Sequence, residues 1–442
     1  MGRLFGTDGV RGRYGRDLTD EIARALGRAA TVVLRRHGEH RIAFVIGRDP
    51  RTSGVALETA LAEGITSAGG DAYLLGVEPT PAVAYLTAAV GHWSGVMISA
   101  SHNPPDDNGI KFFNHRGFKL SDGLEDEIEA EIADPTVETF APGSVHEMPA
   151  DAPDYVDHVV ATAEARLDGM RIVVDPANGA AAVVGPEVLR RLGAEVIAIN
   201  DDPRGDNINV ACGALHPEVV AAEVVTRGAD AGVAFDGDAD RALFADADGN
   251  VIDGDQVLAA CALAMHADGA LENGIVVATV MSNLGLRLAM GDAGIELEET
   301  PVGDRYVLER MEERGAVLGG EQSGHVIFRR SATTGDGLIT AARFLSLARR
   351  EGVDVGRFAS VMRKFPQVLL NIEVRDKHGL EDAPSIWEAV AAAEHALGDR
   401  GRVLVRTSGT EDLVRVMVEA ENEEDAAGHA GAIADAVRSA LA

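Results

Sequence analysis

The sequence predicts an α/β protein: three related doubly wound α/β domains and a smaller C-terminal α+β domain. Three observations lead there. Short apolar runs alternate with segments of helical period, the pattern of parallel sheets wrapped by helices. The alternation begins near residue 41 and begins again near 171 and 275. At 442 residues the chain is too long for one ordinary core, and a length prior gives about three domains.

In the first repeat, residues 41–46 read as a strand, a Gly-Arg-Asp turn follows, 54–68 have helical periodicity, and 94–98 form a strand that ends at Ser99-Ala100-Ser101-His102-Asn103-Pro104. The second repeat has strand 171–174, turn 175–179, helix 180–192 and strands 195–199 and 231–235, the last running straight into Asp236. The third opens with strand 275–280 and helix 283–293. The final segment has strands 367–374, 402–405 and 414–419 with helices 385–397 and 423–441, which suits a helix-covered sheet of α+β type. Linkers are expected at 135–153, near Gly254 and at 364–366, so the domains are expected at 1–153, 154–254, 255–365 and 366–442. The restarts suggest a triplicated unit.

Composition excludes several functions. A formal net charge of −31 disfavours nucleic acid as a partner, because that binding needs Lys and Arg on phosphates. Lysine occurs only at Lys111, Lys119, Lys364 and Lys377, so a lysine inside a motif is informative. Two cysteines, Cys212 and Cys261, make neither a disulfide framework nor a metal-ligand spacing. No apolar run approaches the roughly 20 residues that span a membrane, and the opening residues lack a signal-peptide core. A cytoplasmic protein, monomer or homodimer, with a small-molecule partner and no membrane or nucleic-acid partner is the expectation.

Four segments carry chemistry. Ser99–Pro104 follows a strand, where α/β sheets bind ligands, and a serine there can carry phosphate or simply cap a turn. In Asp236-Gly237-Asp238-Ala239-Asp240-Arg241, carboxylates at alternate positions share one face if the chain stays extended, and three hard oxygens suit Mg²⁺. An EF-hand is excluded, because Arg241 and Ala247 stand where it needs Gly and Glu. Gly320-Glu321-Gln322-Ser323-Gly324-His325 offers a carboxylate and a hydroxyl for vicinal sugar hydroxyls. Arg406-Thr407-Ser408-Gly409-Thr410-Glu411, with Arg415 after it, makes a phosphate cradle without a Walker-type lysine. Smaller pieces are Arg11 on the Gly-rich opening 6–12, Lys111 ten residues past the serine, and Gly303-Asp304-Arg305.

In order and approximate spacing, these motifs resemble the α-D-phosphohexomutase family along the whole chain. The resemblance implies three α/β domains and a smaller fourth around a cleft. It implies Ser101 as the phosphorylated serine, and Asp236, Asp238 and Asp240 with a phosphoserine oxygen at Ser101 as ligands of one Mg²⁺. Lys111, His102 and Arg11 would act in catalysis. Glu321, Ser323, His325, Gly303, Arg305, Arg406, Ser408, Gly409, Thr410 and Arg415 would bind substrate. The implied reaction interconverts glucosamine 6-phosphate and glucosamine 1-phosphate through a phosphoserine enzyme, with glucosamine or glucose 1,6-bisphosphate as intermediate and activator. Mannose or glucose phosphates are the close alternative substrates. A haloacid-dehalogenase-type phosphatase is the distant alternative, since 233–238 resembles its opening and would make Asp236 the nucleophile. Two departures stand out: Ala239 where glycine is commoner, and Asp412 where proline is common, the latter expected to weaken phosphate binding.

Overall fold

The computed structural model describes residues 3–6, 8–38, 42–91, 94–149, 152–408 and 412–441, apart from the side chain of His378. The chain forms two compact units, Met1–Val280 with Ile295–Ser360, and Met281–Gly294 with Val361–Ala442. All three α/β sheets lie in the first unit.

The first sheet is built from β1 (Val10–Arg13), β2 (Ala43–Arg48), β3 (Asp71–Val77), β4 (Ser94–Ile98), β5 (Asp107–Phe113) and β6 (Val145–Glu147), in the order β1-β5-β4-β2-β3-β6. Its helices are α1 (Asp20–Arg36), α2 (Gly54–Ser67), α3 (Thr80–Val90) and α4 (Asp122–Ala133). The ends of α1 are set by ordinary capping: Thr19 accepts from the Ile22 N–H, acids fill the first turn, and Arg35 and Arg36 fill the last. The buried face of the sheet carries Phe44, Ile46, Val96, Ile98 and Phe112, packed on Leu26, Leu57 and Leu61 of the helices. The strand expected from residue 41 begins at Ala43, and Arg41 lies outside the described residues. The stretch 135–153, expected as a linker, supplies β6, which pairs parallel with β3 through Ala72 and Val145. A free strand edge there gains a backbone partner.

The second sheet contains β7 (Arg171–Asp175), β8 (Glu195–Ala198), β9 (Ala231–Phe235), β10 (Ala242–Asp246) and β11 (Val251–Ile252), ordered β11-β10-β9-β7-β8, with helices α5 (Tyr155–Ala161), α6 (Ala181–Arg191) and α7 (Pro217–Arg227). The region near Gly254 is not a loose linker. Helix α8 (Gly254–Ala267) starts there at once, because Asp253 and Gln256 form a reciprocal capping box.

The third sheet holds β12 (Ile275–Thr279), β13 (Glu296–Thr300), β14 (Leu318–Gly320) and β15 (Val326–Phe328), ordered β13-β12-β14-β15. In chain order α9 (Leu284–Asp292) follows β12 but belongs to the second unit, α10 (Asp304–Arg314) follows β13, and α11 (Gly337–Glu351) and α12 (Val355–Ala359) follow β15.

The sheets are mixed rather than purely parallel. In each, three parallel strands (β3-β2-β4, β8-β7-β9 and β13-β12-β14) are followed by an antiparallel neighbour, β5, β10 or β15. The same order in three successive segments gives the suspected triplication a topological basis.

The second unit has an antiparallel sheet of β16 (Gln367–Glu373), β17 (Arg402–Thr407) and β18 (Leu413–Glu419), ordered β16-β18-β17, covered by α13 (Pro384–Leu397) and α14 (Glu423–Leu441). Ile386, Val416, Val418 and Ile433 lie in its core. No described helix is long and apolar enough to cross a membrane.

Candidate active site

In each α/β sheet the polar motif occupies the loop between the third parallel strand and its antiparallel neighbour. Residues 99–106 link β4 to β5, 236–241 link β9 to β10, and 321–325 link β14 to β15.

The serine loop is held from below by one buried guanidinium. Arg51, 1% exposed, donates through Nη2 to the carbonyls of Ser101 at 3.0 Å and Asn103 at 2.8 Å, and through Nη1 to those of Asp107 at 3.0 Å and Pro104. Its Nε donates to Asp49 at 2.9 Å. Asp49 also accepts from the Ser99 hydroxyl at 2.6 Å, and Ser99 Oγ accepts from the Ser101 N–H at 2.9 Å. Asn209 adds a 2.8 Å hydrogen bond to the Ser101 carbonyl. These bonds hold Ser101 at φ 49°, a left-handed conformation that costs an L residue roughly 1–2 kcal/mol. The Ser101 hydroxyl is thereby aimed at Asp236 Oδ2, 2.6 Å away, with His102 Nδ1 at 3.3 Å. Burial, with Arg241 and Arg11 nearby, pushes His102 down to about 4, so its imidazole is neutral at pH 7.

The acidic loop does not stay extended. It turns, with the Ala239 N–H bonded to the Asp236 carbonyl at 3.1 Å and Ala239 at φ 59°. The turn explains why glycine suits position 239, and it converges the carboxylates by folding rather than by strand alternation. One ligand atom from each of Asp236, Asp238 and Asp240 lies within 4.8 Å of the others, and all three residues are buried. Burial and mutual repulsion raise the Asp236 and Asp238 carboxyls above the ordinary range. Among the described residues Asp238 Oδ1 and Asp240 Oδ1 have no hydrogen-bond partner, although Arg241 Nε stands 3.8 Å from Asp240 Oδ1. Buried, crowded oxygens with unused lone pairs are the donor set that a divalent cation satisfies. Thr80, at the start of α3, binds the loop through its backbone N–H to the Asp238 carbonyl at 2.9 Å and through its hydroxyl to Asp238 Oδ2. Gly237 lets the two loops meet, for a Cβ there would lie 2.6 Å from the Ser101 carbonyl oxygen.

Beside these loops, Asp8 pairs with both Lys111 of β5 and Arg11 of β1. Burial alone would raise the Asp8 carboxyl, but the two cations hold it well below the usual range. Burial would likewise lower Lys111, yet Asp8, with Asp304 and Asp240 behind it, raises it. Lys111 is therefore a protonated donor at neutral pH. Thr7, between Gly6 and Asp8, lies outside the described residues.

In the third loop Glu321 Oε1 accepts the Gly303 N–H at 3.0 Å, and Ser323 Oγ lies 3.5 Å from Glu321 Oε2. His325 is buried, with Nε2 3.2 Å from the Gly335 N–H and 3.9 Å from Asp240 Oδ2. Arg305 does not point a free charge at this loop; it pairs with Glu309 at 2.8 Å and with Asp122. Its charge is committed to acids of its own surroundings.

In the second unit Arg406 and Arg415 are direct cross-strand partners, so their side chains share one face of the sheet. Burial and the neighbouring Arg415 lower the Arg406 guanidinium. Facing like charges cost energy that a bound anion relieves. Ser408 is buried, its carbonyl accepting from Lys377 Nζ at 3.1 Å. Lys377 also stands 4.0 Å from Asp412, so the extra negative charge at that position has a cation beside it. Gly409, Thr410 and Glu411 lie outside the described residues.

Ser101, His102, Arg11, Lys111 and the three aspartates are thus neighbours in the first unit, with Glu321, Ser323 and His325 on the β14–β15 loop and Gly303, before α10, bonded to Glu321. Sequence reasoning missed Asp8, Asp49, Arg51, Thr80 and Asn209. Thr80-Pro81 is a helix-start signature, and Arg51 follows the Gly-Arg-Asp turn, but nothing local marks Asn209.

Comparison with known proteins finds relatives along the whole chain. Sequence signatures of phosphoglucomutase/phosphomannomutase match along the chain: alpha/beta/alpha domain I at 2–138, domain II at 153–249, domain III at 253–365 and the C-terminal domain at 369–436. The chain is 52% identical over 445 residues to a phosphoglucosamine mutase of Thermobifida fusca, covering 100% of this chain and 99% of that one. It is 52% identical over 453 residues to a phosphoglucosamine mutase of Streptomyces coelicolor, covering 100% of both. The crystal structure of a phosphoglucomutase/phosphomannomutase family protein from Burkholderia thailandensis matches with a TM-score of 0.84 at 27% identity, over 99% of this chain and 97% of that one. With all four domains present in order and relatives at half identity over the full length, the chain belongs to the phosphoglucomutase/phosphomannomutase family of hexose-phosphate mutases.

Proposed function

We propose that the protein is a phosphosugar mutase, an isomerase that interconverts glucosamine 6-phosphate and glucosamine 1-phosphate with Ser101 as phosphoryl carrier. The observation that carries this reading is the Ser101 hydroxyl, 2.6 Å from Asp236 in a buried triad of carboxylates. The full-length relatives named phosphoglucosamine mutase favour the amino sugar over glucose and mannose.

In the forward direction the bond from Ser101 Oγ to phosphorus breaks as the sugar O1 takes the phosphoryl group, giving a 1,6-bisphosphate. The bisphosphate then turns so that its 6-phosphate faces the serine, and the bond from O6 to phosphorus breaks as Ser101 Oγ takes that group. In each transfer the proton lost by the accepting hydroxyl is matched by the one the leaving oxygen gains. Phosphorylation replaces the hydrogen bond from Ser101 to Asp236. The Arg51 clamp fixes the loop backbone, so the hydroxyl and its phosphate stay in one position through both transfers. Lys111, kept protonated by Asp8, donates to the bridging or leaving oxygen. His102, neutral, orients the serine oxygen, and Arg11 binds phosphate oxygens. Glu321 and Ser323 hold sugar hydroxyls, and His325 contacts substrate beside them.

Asp236, Asp238 and Asp240 would hold one Mg²⁺, which when bound neutralises negative charge on the group being transferred. Arg406, Ser408 and Arg415 of the second unit bind a phosphate, with Gly409 and Thr410 assigned by the family resemblance alone. A 1,6-bisphosphate sugar would prime Ser101 as activator.

The test is one assay of the wild-type enzyme with glucosamine, glucose and mannose phosphates, beside Ser101→Ala. Turnover of the glucosamine phosphate and near-complete loss in the variant are expected. Intact-mass mapping of a stable phosphate to Ser101 supports the mutase, whereas a labile acyl phosphate on Asp236 would favour the phosphatase reading.

A further inference from the structure

The amino sugar differs from glucose by one positive charge at C2, so a site that prefers it needs an uncommitted carboxylate near the sugar. A cavity of about 260 Å³ in the first unit is lined by Lys111, His325 and the start of α10. Three acids line it: Asp304, Glu309 and Glu312. Glu309 is paired with Arg305 at 2.8 Å and Glu312 with Arg329 at 2.8 Å. Asp304 has no such partner among the described residues; its Oδ1 takes only the Arg305 backbone N–H, at 2.7 Å.

Its place is fixed from the sugar loop. The Gly303 N–H bonds Glu321 Oε1 at 3.0 Å, which ties the residue before Asp304 to the carboxylate assigned to sugar hydroxyls. Asp304 is also close enough to Lys111 to raise its affinity for a proton. An ammonium group brought near Lys111 would be repelled unless an anion stood between them, and Asp304 is the anion available there.

We propose that Asp304 is the residue that selects the amino sugar, its carboxylate receiving the C2 ammonium group of the substrate. The proposal rests on the glucosamine reading of the function. A charge-assisted contact of this kind discriminates by about tenfold or more.

The experiment compares wild type and Asp304→Asn with glucosamine 6-phosphate and glucose 6-phosphate, with glucose 1,6-bisphosphate as activator and thermal melts to establish folding. Asparagine keeps the hydrogen bond to the Arg305 N–H and removes the charge. The expected result is a fall in kcat/KM of about tenfold for the glucosamine substrate, mostly in KM, with the glucose substrate unchanged or improved. Asp304→Glu should recover part of the preference. Equal losses for both sugars would mean that Asp304 acts only through Lys111, and would overturn the proposal, as would an unaltered preference. A wild-type enzyme that does not prefer the glucosamine phosphate would overturn the functional reading itself, and this inference with it.

Discussion

Arg51 Nη2 holds the Ser101 carbonyl at 3.0 Å, while Arg51 Nε holds Asp49 at 2.9 Å, so one buried guanidinium joins the backbone of the serine loop to a buried carboxylate. Lysine keeps the charge but lacks the planar fork that reaches four carbonyls and Asp49 together. Arg51→Lys is expected to fold and to lose more than about tenfold in kcat with KM little changed, because substrate contacts remain and only the serine oxygen is misplaced. Arg51→Ala leaves Asp49 buried and unpaired, which costs about 3–5 kcal/mol. Steady-state kinetics and thermal melts of the two variants check this; a Lys variant with unchanged kcat would show that the clamp does not position Ser101.

Ala239 sits at φ 59° in the turn that converges the carboxylates. Glycine adopts that conformation freely, and an L residue pays roughly 1–2 kcal/mol for it. Ala239→Gly is expected to keep stability within about 1 kcal/mol of wild type, because relief of the strain is offset by the lost buried methyl and the freer unfolded chain, with activity retained. Chemical denaturation of the two proteins measures the difference.

The three carboxylates repel one another when no cation is bound, and a cation reverses the sign. Asp238→Asn should therefore be more stable than wild type in chelator and less responsive to added Mg²⁺. For wild type, Mg²⁺ at 100 times its Kd would add about 2.7 kcal/mol. Thermal melts with and without Mg²⁺ read this independently of turnover, and a variant with the wild-type gain would remove Asp238 from the ligand set.

Asp336 caps α11 by accepting the Ile339 N–H at 2.9 Å, and the Tyr155 hydroxyl donates to it at 2.9 Å. Burial raises this carboxyl from 3.8 to about 7 despite those donors. The folded form thus binds the proton more tightly than the unfolded form, so stability is greatest below pH 3.8 from this group alone and falls as pH rises toward 7. Asp336→Asn, which still caps, should flatten the dependence between pH 5 and 8. Urea midpoints across that range, compared between the two proteins, test the slope.

Much of this fold was legible in the sequence because its parallel strands are buried on both faces. Ser94–Ile98 and Ala231–Phe235 are unbroken runs of small and apolar residues that end abruptly at polar loops. Helix α1 was overlooked although its ends are written in the sequence: Thr19 stands before the acids Asp20 and Glu21, and Arg35 and Arg36 close its last turn. The motif serine and aspartates were legible because they cluster within one loop each. Arg51, Thr80 and Asn209 were not, since each acts across a long separation, Arg51 and Asn209 on Ser101 and Thr80 on Asp238, and such pairings exist only once the chain has folded. The extended geometry first expected for the aspartates failed at Ala239, where the chain turns left-handed to bring them together.

The three motif loops of the first unit hang from equivalent hairpins, and this has a consequence for how the enzyme changes over time. Each hairpin is anchored by its own strand pair, so a substitution or insertion in one loop leaves the register beneath the other two intact. On the proposed assignments, sugar preference can drift at the start of α10 and at the β14–β15 connection while the serine loop and the acidic loop stay as they are. Repetition of one architectural slot gives the tasks of a single reaction separately anchored strands, while the close approach of Gly237 to the Ser101 carbonyl obliges the serine and acidic loops to change together.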